Sequence, residues 1–445
     1  MPPTASGWQC GSSHPSFVTG RGSGRRTVQA FAPIAALLFS AALLLTGSGL
    51  QGALLPVRAY VESFTTLQVG ILGAAYFLGF AGGCLIGSRV VRRVGHIRTF
   101  TAMVSLASAM VLAHAMVLNP VVWWICRGVT GLSFAMLFMV IESWLNERST
   151  NENRGRMFSI YTFINFTVVA VGQMMLTLAD PRAFTLFASA AILISLAALP
   201  VALTRAEAPA PLQSVRLRLP YLYRCAPIAF AGAAVVGLGN GAFWSLAPVY
   251  VLEIPQGGGA DRVAVFMSLA VVSGAIAQWP FGHVSDRIDR RIVILVSCIG
   301  SAAVGIAMGL FAHRWAAGLW VFPCLFGWFV FPLYALCAAY MNDWIESGEF
   351  VEAAGVLLLL FAVGSVAGSV AAAAAMQAVG PSGLFFFTAT VHGLLALFTV
   401  ARMQVRAAVP VAEQEPFAES IQAAYTVAPI DPHPIEGDFD PAFGD

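Results

Sequence analysis

Stretches of about twenty apolar residues, long enough to cross a bilayer as a helix, recur along almost all of this chain and constrain its fold more than any other feature. They fall near residues 30–55, 67–88, 99–118, 121–145, 157–178 and 183–204, and again near 226–250, 263–281, 292–311, 318–341, 353–376 and 384–402. Within hydrocarbon every backbone N–H and C=O must be paired internally, so such runs become helices. The expected fold is therefore an all-α integral membrane protein with twelve transmembrane helices in two sets of six. Charge agrees with this. Charged residues make up 10% of the 445, against roughly 25% in a soluble domain, and all 24 basic residues are arginine. So little charge cannot cover a soluble globule of this size, and a net charge of +2 points to no nucleic-acid partner. The bilayer itself is the expected surround.

The polar stretches divide the chain. Residues 1–29 are Gly/Ser/Thr-rich, with Arg21, Arg25 and Arg26 before the first apolar run. They read as a cytoplasmic segment and not a signal peptide, because the run that follows is too long for an h-region. Residues 30–204 form the first six-helix bundle, 205–225 a cytoplasmic linker carrying Pro209, Pro211 and Pro220, and 226–402 the second bundle. Residues 403–445 carry Glu413, Glu415, Glu419, Asp431, Glu436, Asp438, Asp440 and Asp445. Such an acidic, Pro-rich tail buries too little apolar surface to fold alone and is expected to be disordered.

Arginine placement gives the orientation. With the N-terminus inside, nineteen arginines lie on the cytoplasmic side and four, Arg58, Arg182, Arg262 and Arg314, on the other. That bias places both termini in the cytoplasm, for a multi-pass, monomeric protein of a bacterial-type cytoplasmic (inner) membrane. The seven cysteines are scattered singly, with no CxxC pair or Cys/His cluster, so neither a metal site nor a cofactor is expected.

The two sets of six resemble each other. Pro56-Val57 near the end of the first span and Pro248-Val249 near the end of the seventh lie 192 residues apart. Arg92-Arg93 after the second span and Asp286-Arg287 after the eighth lie 194 apart. A duplicated six-helix unit with both copies in one orientation is the parallel repeat of a large transporter class. The motif Gly282-x-x-x-Asp286-Arg287-x-x-Arg290-Arg291, with Asp289 where glycine is usual, resembles the loop motif of the major facilitator superfamily. Arg127-Gly128-Val129-Thr130-Gly131 resembles its fourth-span motif. The resemblance covers residues 30–402. Arg93-Val94-Gly95-His96-Ile97-Arg98 and Ile141-Glu142-Ser143-Trp144-Leu145-Asn146, followed by Arg154-Gly155, are similar to the YcaD-like branch. The Gly-Pro-rich fifth-span motif of drug/proton antiporters is missing from Asn165–Gln173, so drug efflux is not implied.

An ionisable side chain in hydrocarbon costs several kcal/mol and should face a cavity or a partner. Arg127 lies about two turns into the fourth span, where it either snorkels or binds an anionic group. Glu142 is fifteen residues further on, about 22 Å along the helix and about 60° around it. Asp343 ends the tenth span beside Tyr340 and Asn342. These two carboxylates either exchange protons or pair with loop arginines. The superfamily resemblance implies that spans 1, 4, 7 and 10 line a central cavity. Gln51, Asn240, Trp244, Trp328 and Tyr334 are then its polar and aromatic candidates, with interhelical packing as the alternative for each. Gly79, Gly83 and Gly87, with Gly364 and Gly368, are expected to form a slim seam between spans 2 and 11. His114 and His392 are expected to serve only helix packing.

The first loop motif carries Arg92 where the superfamily has an acid, and Ser88 where it has glycine. The resemblance implies that Arg89, Arg92 and Arg93 face a partner loop holding Glu346, Glu349 and Glu352, the alternative being arginines that serve only to fix topology. By the same resemblance Asp286, followed by Arg287 as a further gate candidate, is expected to face a loop holding Arg148, Arg154 and Arg156. Opposite signs on the two contacts suggest a gate that latches the cytoplasmic side. The expected function is secondary active transport of a small solute, anionic or zwitterionic, by alternating access and with proton coupling. ATP-driven transport is excluded by the absence of any GxxxxGK[ST] stretch. The runner-up is a non-transporting receptor or scaffold that retains this fold. A membrane enzyme comes last, because no His/Asp/Ser constellation is visible.

Overall fold

The computed structural model describes residues 23–149, 154–203, 217–255, 258–312, 314–315 and 317–417, with side chains from residue 35 and excepting those of 148, 154–156 and 347. Among the described residues twelve helices are long and apolar enough to cross a membrane. They are α1 (Ser23–Val61), α2 (Thr66–Val94), α3 (His96–Met116), α4 (Pro120–Arg148), α5 (Arg154–Met174), α6 (Phe184–Leu196, resumed at Ala198–Ala202), α7 (Pro227–Glu253), α8 (Ala260–Ser285), α9 (Arg290–Phe311), α10 (Gly318–Asn342), α11 (Phe350–Val379) and α12 (Gly383–Val405). Local chemistry sets their ends. Thr65 and Gln68 form a reciprocal capping box that starts α2. Asn119 accepts the N–H groups of Val121 and Val122 ahead of Pro120, and so starts α4. Gly95 turns between α2 and α3 at φ 92°, where a side chain would be strained. Asp289, the departure from the superfamily motif, caps α9 through the Arg291 N–H and pairs with its guanidinium at 2.8 Å.

The same pairings recur in the two halves. In the first bundle α2 packs on α4, α1 on α5 and α6, and α3 on α4 and α6. In the second, α8 packs on α10, α7 on α11 and α12, and α9 on α10 and α12. Adding six to each number of the first set gives the second, which is the parallel repeat in three dimensions. Between bundles the principal seams are α2 with α11 and α5 with α8, again related by the offset of six, supplemented by α7 against α1 and α2. Both ends of the described chain lie on one side of the bundle, called here the termini side; the loops after α1, α3 and α5 lie on the distal side.

Two expectations change at this level. Gly79, Gly83 and Gly87 do not face α11; they abut Gly128, Leu132, Ala135 and Met139 of α4. Gly364 and Gly368 abut Ala234 and Leu238 of α7. Both stripes therefore draw helices together within a bundle. The α2–α11 seam is built by other small residues: Gly70 against Ser369 and Ala373, and Gly73 against Ser245 of α7. The tail differs as well. α12 runs to Val405, and the next residues, through Phe417, lie docked on the second bundle, with Phe417 only 4% exposed. Residues 418–445, 1–22 and 204–216, which hold the rest of the expected tail, terminal segment and linker, lie outside the described residues.

Candidate functional site

A cavity of about 350 Å³ lies between the bundles, walled by α1, α2, α4 and α5 and closed across by Trp244, Ser245, Val271, Leu358 and Phe361 of the second half. Arg127 and Glu142 both line it. The glycines after Arg127 explain its pose. Gly131 sits against the Tyr76 backbone, and Gly128 against Ala75 and Gly79, so α4 approaches α2 without intervening side chains. That contact lays the Arg127 guanidinium over the Tyr76 ring, 4.4 Å from its centroid. A stacked guanidinium keeps its N–H edge available for a planar anion. Among the described residues Arg127 forms no ion pair.

Glu142 lies toward the termini side of the same cavity, 4% exposed, and near enough to Cys84 and Tyr161 to act on both electrostatically. Between the two charges the wall is mostly aromatic: Tyr76, Phe77, Phe80, Phe138, Phe166 and Phe361. Trp244 completes it, stacked on Phe331 at 5.8 Å and 12°. On the distal side the cavity ends where the Ser245 and Ser369 hydroxyls meet at 2.9 Å beside Gly73.

The other sequence candidates are placed differently. Gln51 is fully buried beside the cavity-lining Gly52, with both amide atoms unpartnered among the described residues. Asn240 donates to the Val236 carbonyl of its own helix at 3.0 Å. Tyr334 packs edge-on against Phe361, behind the wall. Trp328 packs on Phe281. Asp343 is outside the cavity: its carboxylate, 1% exposed, pairs with Arg290 at 2.9 Å. The implied lining by α1, α4, α7 and α10 is thus revised, with α2 and α5 taking the place of α10. The residues this brings in include Tyr161, Thr162, Asn165 and Gln173 on α5. Tyr161 and Asn165, four apart on a polar stripe of an otherwise apolar span, were the signal available in the sequence.

At the termini side, Glu349 and Glu352 are engaged by Arg218, at 2.6 and 2.8 Å, and Glu349 also accepts from the Tyr221 hydroxyl. The linker's end, not the α2 arginines, holds these two carboxylates here. The two Glu–Arg218 contacts raise the Arg218 pKa and lower that of Glu349. Asp286 accepts from Arg290 at 3.1 Å. Arg92, Arg93, Arg287 and Glu346 are exposed and Arg89 is half-buried. The side chains of Arg148, Arg154 and Arg156 lie outside the described residues.

The profile of the Major Facilitator Superfamily matches residues 37–259 and again 229–433. The chain belongs to this superfamily. It is 27% identical over 366 residues to the uncharacterized MFS-type transporter YcaD of Escherichia fergusonii, covering 81% of this chain and 94% of the relative. It is 25% identical over 388 residues to a counterpart in Enterobacter sp. (strain 638), covering 83% and 96%. The YcaD-like branch is therefore where its similarity lies. Among solved structures the nucleoside transporter NupG superposes with a TM-score of 0.72 at 11% identity, covering 84% of this chain and 99% of that one. A bacterial homologue of the lysosomal transporter Spinster gives 0.68 at 12% identity, covering 88% and 98%. FucP in its outward conformation gives 0.54 at 15% identity, covering 83% and 98%. The chain is a multi-pass membrane transporter, not an enzyme.

Proposed function

We propose that this transporter carries a small anionic or zwitterionic solute across the cytoplasmic membrane by alternating access, as a monomer with its termini in the cytoplasm, and that protons drive it. The observation that carries the reading is one cavity with a stacked Arg127, without an ion pair among the described residues, toward its distal end and a buried Glu142 toward its termini end. A fixed guanidinium in a low-dielectric pocket binds a carboxylate or similar group through charge-assisted hydrogen bonds. A carboxyl in a cavity walled largely by aromatic rings changes its proton affinity as its surroundings change between conformations. Gln51 and Asn240 are assigned to the cavity margin, where small shifts of α1 and α7 would bring their amides to the solute. Trp244 and Tyr334 form and support the aromatic wall.

When the bundles rock to close the cytoplasmic side, the latch joins Arg89, Arg92 and Arg93 to the glutamates that Arg218 otherwise holds, and Asp286 to the arginines that follow α4. Exposed ion pairs contribute only about 0–1 kcal/mol each, enough in combination to bias a nearly balanced equilibrium.

The test is flux into proteoliposomes driven by a pH gradient, with the solute chosen by a thermal-shift screen. Wild type is expected to accumulate the solute in proportion to the gradient. Undiminished flux in Arg127→Ala would remove Arg127 from the site.

A further inference from the structure

The face of α8 that meets α5 near its distal end continues to the termini side of the helix. Near the distal end the Ser268 hydroxyl donates to the Ala170 carbonyl of α5 at 3.1 Å. Gly282 is fourteen residues further along α8, within about 40° of Ser268 around the helix, and Asp286 is five full turns on, at the same angle. On that continuation α8 carries the chain's own tail. The Phe417 ring lies directly against Gly282, where any side chain would collide with it. The Phe417 N–H donates to Asp286 at 2.9 Å. On α5, Phe163 is seven residues from Ala170, two turns toward the termini side and on the same face, and it is 63% exposed.

The tail is held at several further points. Glu415 donates its N–H to Asp343 at 3.0 Å, while its carbonyl accepts from Arg290 at 2.9 Å. The Arg406 guanidinium lies 3.3 Å from the centre of the Trp344 ring and donates to the Cys225 carbonyl at 2.6 Å. The Arg406 carbonyl accepts from Arg291 at 2.6 Å. Apolar insertion and directional hydrogen bonds thus fix one short segment on one strip of α8 and the helix ends beside it.

We propose that the termini-side half of this α8 strip has two mutually exclusive occupants, Phe417 of the tail and the Phe163 region of α5, so that residues 411–417 act as a wedge that must leave before the bundles close on the cytoplasmic side. The inference rests on the alternating-access reading above. The wedge stabilises the state in which α5 and α8 are parted at that end, and its release sets how often the closed state is reached.

The test uses the full chain in lipid nanodiscs, its native cysteines replaced and spin labels placed at Glu147→Cys and Ile288→Cys, on exposed positions of the two bundles. Pulsed dipolar spectroscopy reads the distance across the cytoplasmic gap. Phe417→Ala is expected to raise the short-distance population roughly fivefold or more, as loss of a buried aromatic implies, and Phe417→Leu to raise it less. In a separate form labelled by an orthogonal chemistry, a Gly282→Cys/Phe417→Cys disulfide is expected to leave only the long distance until it is reduced. Two populations with a ratio indifferent to all three changes would overturn the wedge and leave alternating access standing. A single long distance in every variant would overturn both.

Discussion

The guanidinium of Arg127 rests 4.4 Å above the ring of Tyr76, where Gly128 and Gly131 bring α4 against the backbone of α2. The stack fixes the plane of the cation and directs its edge into the cavity, and the two residues make separable contributions. If the solute is the proposed anion, Arg127→Ala removes a charge-assisted contact of about 1.5–3 kcal/mol and should lower kcat/KM roughly ten- to hundredfold. Arg127→Lys keeps the charge without the planar fork and should recover only part of this. Tyr76→Phe preserves the ring face and should transport like wild type, whereas Tyr76→Leu should raise KM a few-fold, in line with about 0.5–2 kcal/mol for a cation–π contact. Initial rates in proteoliposomes distinguish these outcomes; equal losses in Tyr76→Phe and Tyr76→Leu would assign the effect to the hydroxyl.

Glu142 is the carboxylate that lines the cavity, while Asp343 is held outside it by Arg290. Glu142→Gln keeps size and hydrogen-bonding capacity but carries no exchangeable charge. It should abolish accumulation driven by a pH gradient while leaving solute counterflow, which needs no net proton movement, within about threefold of wild type. Loss of both activities would make Glu142 a solute ligand or a structural group; retention of both would move proton coupling elsewhere.

The twelve spans and their division into six and six were legible because hydrocarbon leaves the backbone a single solution, and apolar length reports it directly. Arg127 and Glu142 were legible for the same reason, as rare charges in apolar runs. What each glycine stripe touches was not. A small-residue stripe specifies close approach but no partner, and Gly79, Gly83 and Gly87 meet α4 while Gly70 and Gly73 make the cross-bundle seam. The docked tail was hidden for another reason. Its composition is that of a chain unable to fold alone, yet Phe417 and the backbone around Glu415 use a surface and charges that Gly282, Asp286, Arg290 and Asp343 supply from elsewhere.

The distal closure depends on a glycine. Gly73 faces the Ser245 hydroxyl so closely that even a methyl group would displace it, and Ser245 is bonded to Ser369 at 2.9 Å. Gly73→Val should therefore part α2 from α7 on the distal side and favour the conformation open there, at a cost of about 1–3 kcal/mol to the closed arrangement. A membrane-impermeant thiol reagent applied from the distal side should label a cysteine placed at Leu72 at least several-fold faster in this variant. Labelling as slow as in the parent protein would show that the Ser245–Ser369 contact adapts without opening the cavity.

The carboxyl of Asp343 is enclosed by Arg290, the Glu415 backbone and the more distant Asp286. Burial pushes it up from the usual 3.8 to about 6, although Arg290 and the Glu415 N–H pull the other way. With the folded value above the unfolded one, the folded protein binds the extra proton between these limits. The associated stability is fully present below about pH 4 and is lost as the pH rises through about 6. A shift of this size corresponds to at most about 3 kcal/mol. Thermal melts of wild type and Asp343→Asn, compared at pH 4.5 and pH 7.5, isolate this group from the other carboxyls. The melting temperature of wild type should gain on that of the variant as the pH is lowered. Parallel pH slopes would mean that Asp343 stays ionised throughout, its ion pair with Arg290 outweighing burial.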